Sequence, residues 1–135
     1  MEAGYMAKKL KIISANVDDL YTYRVKPLLE KCNINFFRVN PYYPRWQVSD
    51  VYFFTEDFSG WISLKAIDED LFKGGKAIKP EWKRGEMAFL KSIIVAGLNV
   101  VVIIELRKRV FYTWEVKTKY QMSDLSPFTP EEFFV

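Results

Sequence analysis

The sequence predicts an α/β fold with a mixed central β-sheet flanked by helices, in the order α-β-β-β-α-β-β. Two observations carry that prediction. A segment of helical periodicity precedes three short β-rich segments, and a proline-led helical stretch follows them. Behind that stretch, Asn99 to Leu106 (NVVVIIEL) is a continuous β-branched run of the kind buried on both faces of a sheet. The chain has 135 residues, 50% hydrophobic and 27% charged, which suits one folded domain and not a disordered segment. Its core is expected over 18–116, with 117–135 as a C-terminal tail.

Each element has its own signal. Asp18 to Lys31 places Leu20, Val25, Leu28 and Leu29 at near-helical spacing, with Asp18 or Asp19 suited to the first turn and Pro27 as a kink. Asn33 to Asn40 is β-rich and alternating, and PYYPR behind it is a proline-punctuated loop. Val48 to Thr55 reads as a second strand, EDFSG as a tight turn and Trp61 to Ile67 as a third strand hairpinned to the second. A loop containing Gly74-Gly75 leads to a helix from Pro80 to Ala96, since proline is favoured at a first helical position. That helix is expected to bury Met87, Leu90, Ile94 and Val95 and to end at Gly97. After NVVVIIEL and the basic turn Arg107 to Arg109, Val110 to Val116 is the last strand.

Composition excludes whole classes of chemistry. There is no histidine, so histidine-based triads, HExxH metalloproteases and Cys/His zinc clusters are impossible, and the lone Cys32 cannot form an internal disulfide. Carboxylates, lysines and tyrosines remain, and any metal is expected to be oxygen-ligated. No apolar run approaches the roughly 18 residues of a membrane span, and MEAGYMAKKLKII has too short an apolar stretch for a secretory signal. The protein is therefore expected in the cytoplasm, without a membrane partner. The net charge of +3 permits a polyanionic partner without demanding one, and the scarcity of glutamine leans toward a thermophilic source. Neither a phosphate-binding G-x-x-x-x-G-K-[ST] pattern nor a dinucleotide G-x-G-x-x-G occurs.

One constellation carries chemistry. Asp50 lies thirteen positions before Ser63 in the pattern D-x12-S-x-K, and Ser63 and Lys65 share one strand face because alternate residues point the same way. Carboxylates that hold Mg²⁺ and a lysine beside the attacking water, converging at one sheet edge, are what metal-dependent phosphodiester hydrolysis needs. With its helical and strand context, this arrangement resembles the PD-(D/E)XK nuclease superfamily and its restriction-endonuclease-like core. Within that superfamily the nearest likeness is to small Holliday-junction-resolving and related archaeal or viral nucleases, over roughly Asp18 to Trp114. The sequence departs from the family pattern at Ser49, where a proline is usual, and at Ser63, where an acid is usual. Some restriction enzymes of the superfamily carry S-x-K and take the missing carboxylate from the following helix. The resemblance therefore implies Asp50 and Glu81 as metal ligands and Lys65 as the catalytic lysine, with Glu86 as the second candidate acid. It also places a further acid on the first helix, at Asp18 or Asp19.

The resemblance implies a Mg²⁺- or Mn²⁺-dependent DNA endonuclease, with branched DNA as a candidate substrate, acting as a homodimer in the cytoplasm, or in the host cytoplasm if viral. Tyr42, Tyr43 and Arg45 interleave aromatic and basic character in the loop before the catalytic strand, and Lys73, Lys76 and Lys79 flank the Gly-containing loop. Both groups suit contact with DNA. The alternatives are a nuclease-fold DNA-binding or assembly protein that has lost catalysis through Ser63, and an interaction protein whose aromatic tail FTPEEFFV mediates self-association.

Overall fold

A computed structural model describes residues 17–39, 49–67, 77–106 and 109–128. Tyr42, Tyr43, Arg45, Lys73, Lys76 and the FTPEEFFV segment beyond Phe128 lie outside the described residues. The architecture is the expected mixed α/β one: among the described residues six strands, β1 (Asn35–Arg38), β2 (Val51–Phe54), β3 (Ser59–Ile67), β4 (Asn99–Leu106), β5 (Arg109–Thr113) and β6 (Ser126–Pro127), form one sheet in sequential order. Only β3 and β4 pair in parallel, with Gly60 opposite Asn99 and Ile67 opposite Leu106, and all other neighbours are antiparallel. A parallel pair needs a long crossover, and this one contains the helix α2 (Glu86–Val95).

The first helix, α1, runs in π form over Leu20–Val25 and in α form over Lys26–Lys31. The expected kink at Pro27 takes this form: Lys26 N–H bonds the Tyr21 carbonyl five residues back, widening the helix immediately before a residue that has no N–H to donate. The helix ends at Asn33, φ 54°, with Asn33 N–H bonding Glu30 O at 3.1 Å and Ile34 N–H bonding Leu29 O at 3.0 Å. This is a Schellman cap with asparagine in the left-handed position. Gly97, φ 87°, closes α2 in the same way, through bonds to Ile94 O and Ile93 O.

The sheet buries both faces. Leu20, Val25, Leu28 and Leu29 of α1 pack on Val51, Phe53, Ile62, Leu64, Val101 and Ile103. On the other face Val102, Ile104 and Leu106 meet Phe111, Ile78, Tyr120 and Leu125, while Leu90 and Ile93 of α2 cover Val100. The β-branched run in β4 is thus buried on both sides, as its composition predicts. Gly60 sits where β3 begins to pair with β4, and a Cβ there would lie 2.3 Å from the Asn99 carbonyl oxygen. Glycine is what allows the two backbones to approach this closely.

Two expectations about the second helix are corrected. It begins at Glu86 and not at Pro80, because residues 77–83 are held in irregular extended form from outside. Ile78 exchanges backbone hydrogen bonds with Tyr120 in both directions, at 2.7 and 2.8 Å, and Trp82 Nε1 donates to Lys117 O at 3.1 Å. The helix also buries Glu86, Leu90 and Ile93, leaving Ile94 and Val95 exposed, so its inner face is rotated from the one expected. The same contacts build the described part of 117–135 into the folded body, with Tyr120 fully buried and β6 paired to β5.

Tyr120 is the anchor of that last segment: its hydroxyl donates to Glu115 O at 2.7 Å and accepts from Lys117 N–H at 2.9 Å. Burial pushes the phenol up to about 12; the Lys117 N–H opposes the shift, and the Glu115 and Asp124 charges add to it. A group raised above its unfolded value of 10.0 contributes stability below that pH and loses it as the pH climbs toward about 12. Tyr120→Phe is therefore expected to cost about 1–2 kcal/mol at neutral pH. That deficit should shrink above pH 10.0, as read by urea unfolding of both proteins across the alkaline range.

Candidate active site

The site is built on one face of β3. Ile62 and Leu64 point into the α1 side of the core, so Ser63 and Lys65 point to the other face, where α2 begins. Asp50 immediately precedes β2, and its N–H bonds the Ile62 carbonyl at 3.2 Å, which carries the β2–β3 pairing back to this residue. Opposite them, Lys83 to Glu86 form a turn closed by Glu86 N–H on Lys83 O at 3.0 Å. Gly85, φ 80° and ψ −8°, stands at its third position, where a type II turn requires positive φ. The turn delivers Glu86 as the first residue of α2, under the sheet face.

Glu86 is completely buried, and its carboxylate accepts four hydrogen bonds. Oε1 takes Lys65 Nζ at 2.7 Å and the Lys83 backbone N–H at 3.2 Å, while Oε2 takes Ser63 Oγ at 3.0 Å and Ser49 Oγ at 3.1 Å. Burial by itself would raise its pKa. The charge and hydrogen bond of Lys65, the Lys83 N–H and the Lys83 charge outweigh that effect and hold the carboxyl below its ordinary value. The Lys65 ammonium also lies 4.5 Å over the Trp82 ring, so it is held by an ion pair and a cation–π contact together. Asp50, also buried, accepts the Leu64 backbone N–H on Oδ2 at 2.8 Å and the Lys83 ammonium on Oδ1 at 2.7 Å. Two carboxylates and two ammoniums thus interlock, with Lys83 touching both acids.

Of the residues expected from the sequence, Asp50, Ser63, Lys65 and Glu86 come together. Glu81 is exposed and lies ahead of the helix it was expected to open, so the buried acid from this segment is Glu86. Asp18 is ion-paired with Arg38, and Asp19 is exposed. Lys79 is exposed beside the site segment. Trp82 and Lys83 were not singled out from the sequence, and Ser49 was noted only as a departure from the family pattern. The signal for Lys83 and Glu86 lay in KRGE, where a glycine between polar residues ahead of a helical run marks a turn and a helix start.

The donor set fits a hard divalent cation of the magnesium type, which is bound by one or two carboxylates with water and substrate phosphate completing its shell. Of the two buried carboxylates gathered here, Asp50 supplies such an oxygen. Among the described residues no group of three or more acidic, cysteine or histidine ligands gathers. Glu86 already spends its lone pairs on protein donors, so Asp50 Oδ1, whose partner among the described residues is a half-exposed lysine, is the oxygen accessible to an incoming cation.

Removing the Glu86 charge leaves Lys65 buried without its partner, so Glu86→Gln should destabilise the protein by about 3 kcal/mol or more at neutral pH. A carboxyl held below its unfolded value contributes stability above that value, 4.5, and loses it as the pH falls through the lower folded one. The gap between wild type and Glu86→Gln in urea midpoints should accordingly narrow below pH 4.5.

No family model matches this sequence, and no curated protein matches it. Among solved structures, the chain is similar to Hjc of Archaeoglobus fulgidus, a Holliday junction resolvase from an archaeal hyperthermophile. The two superpose with a TM-score of 0.52 over 82% of this chain and 88% of that one, at 16% sequence identity. At that identity the likeness is one of fold: this chain shares the resolvase's mixed-sheet architecture.

Proposed function

We propose that this protein is a Mg²⁺- or Mn²⁺-dependent DNA endonuclease of the PD-(D/E)XK type that acts on branched DNA as a homodimer. The observation that carries the reading is the meeting of Asp50, Lys65 and Glu86 on one face of a resolvase-like sheet. Asp50 would hold the cation, while Glu86, in place of an acid at Ser63, fixes Lys65. When bound, the cation supplies Lewis-acid polarisation of the scissile phosphate and a lowered pKa for the attacking water. Lys65, fixed by Glu86 and Trp82, presents a preorganised positive charge to the negative charge that develops on the phosphoryl group. The exposed Lys79 would neutralise a backbone phosphate, with Tyr42, Tyr43, Arg45, Lys73 and Lys76 as further DNA contacts. Two strand cuts at a symmetric junction call for two sites, hence the dimer.

A second reading, a nuclease fold that binds DNA without cutting it, is favoured by the saturation of Glu86 by four protein donors. A cleavage assay on four-way-junction, linear and single-stranded DNA with Mg²⁺ or Mn²⁺ separates the two. The endonuclease reading expects cutting that falls by about a hundredfold or more in both Asp50→Ala and Lys65→Ala. Salt-sensitive binding of the junction with no cutting in any divalent cation would replace it with the binding-only reading.

A further inference from the structure

The nuclease reading of the site gives Lys83 no task, yet Lys83 makes the most exposed contact in it. Its ammonium lies 2.7 Å from Asp50 Oδ1 with the lysine side chain 42% exposed, whereas Asp50, Lys65 and Glu86 are buried. The other Asp50 oxygen is committed to the Leu64 backbone. The Lys83 backbone is itself fixed, its N–H on Glu86 Oε1 and its carbonyl on Glu86 N–H, so only the flexible side chain is free to leave. An ammonium and a divalent cation on one carboxylate oxygen repel each other, so the two compete for it. The other ammonium of the cluster, Lys65, is confined by Glu86 and the Trp82 ring and does not contend for that oxygen.

We propose that Lys83 is the built-in counter-cation of the Asp50 site: its ammonium occupies Oδ1 until a divalent cation displaces it. This rests on the metal-dependent reading above. In the metal-free protein the lysine pairs with a buried aspartate that would otherwise carry its charge uncompensated, and in return it weakens the site for metal. The site is thus closed by a side chain that a stronger charge can push aside toward solvent.

The test is calorimetric titration of Mn²⁺ into the full chain without DNA. Lys83→Met is expected to bind Mn²⁺ about five- to tenfold more tightly than wild type, since the metal no longer has to break a half-exposed ion pair. Lys83→Arg should stay near wild type. Lys91→Met, the same charge change at an exposed position of α2, should shift affinity by no more than about twofold because solvent and salt screen it. On the wild-type protein, amine labelling read by mass spectrometry should show Lys83 becoming several-fold more reactive when Mn²⁺ is added, a measurement that needs no variant to fold. Equal or weaker Mn²⁺ affinity in Lys83→Met, or unchanged Lys83 labelling in a protein that takes up Mn²⁺, overturns the role of Lys83 and leaves the nuclease reading standing. Absence of Mn²⁺ uptake by both wild type and Lys83→Met overturns the two together.

Discussion

Glu86 places a carboxylate in the interior, and the neighbouring residue choices follow from what that requires. A bare buried carboxylate is costly by many kcal/mol, so its donors are a condition of the fold and not an embellishment. They arrive from three directions: Ser63 and Lys65 from β3, Ser49 from the entry to β2, and the Lys83 N–H from the turn before α2. The carboxylate therefore ties the N-terminus of a helix to two strands through one side chain, and its negative charge suits the positive end of that helix. It also accounts for Ser63. An acid at that position would set two negative charges against each other in the interior, whereas a hydroxyl donates to the acid already present. The serine and the buried glutamate are two halves of one arrangement.

The sheet supplies the platform for this arrangement. Because β3 pairs in parallel with β4, the chain must leave the sheet between them, and the crossover returns with α2 packed on β4 and its first residue, Glu86, at Ser63 and Lys65 of β3. The other face of β3 belongs to the α1 core. A strand whose faces have such different duties cannot slip in register, since a shift of one residue would drive Ser63 and Lys65 into the apolar cluster. Gly60 sets the start of that register by letting the Asn99 backbone close in. Placement of the site is thus decided by ladder pairing at some distance from the charged groups.

What the sequence revealed tracks how local the cause is. The double-sided burial of NVVVIIEL, the two-residue spacing of Ser63 and Lys65, and the disturbance at Pro27 are local patterns, and the structure contains each of them. The start of α2 is not local. Pro80 is well suited to open a helix, but the Ile78 bridge to Tyr120 and the Trp82 bond to Lys117 hold the chain extended until Gly85 allows a turn. Those partners lie more than thirty residues further along, so no window around Pro80 contains them. Moving the helix start from Pro80 to Glu86 is what leaves Glu81 in solvent and puts Glu86 under the sheet. The buried face runs through Glu86, Leu90 and Ile93, so Ile94 and Val95 are exposed.

The electrostatics of the cluster divide it into a fixed half and an exchangeable half. Glu86, Lys65, Ser49 and Ser63 satisfy one another with almost no exposure, and a metal is not needed to keep them in place. Asp50 is held through its Oδ2 and reaches outward through its Oδ1 to a lysine that is nearly half in water. With two positive and two negative groups the cluster is neutral overall, so the net charge of +3 resides elsewhere on the chain. Long-range attraction for a polyanion must then come from residues outside the cluster, while the cluster acts on what is already close. A neutral, fully hydrogen-bonded interior fixes Lys65 in place. Preorganisation of that kind makes a charged group effective, because no reorganisation is required when charge develops next to it.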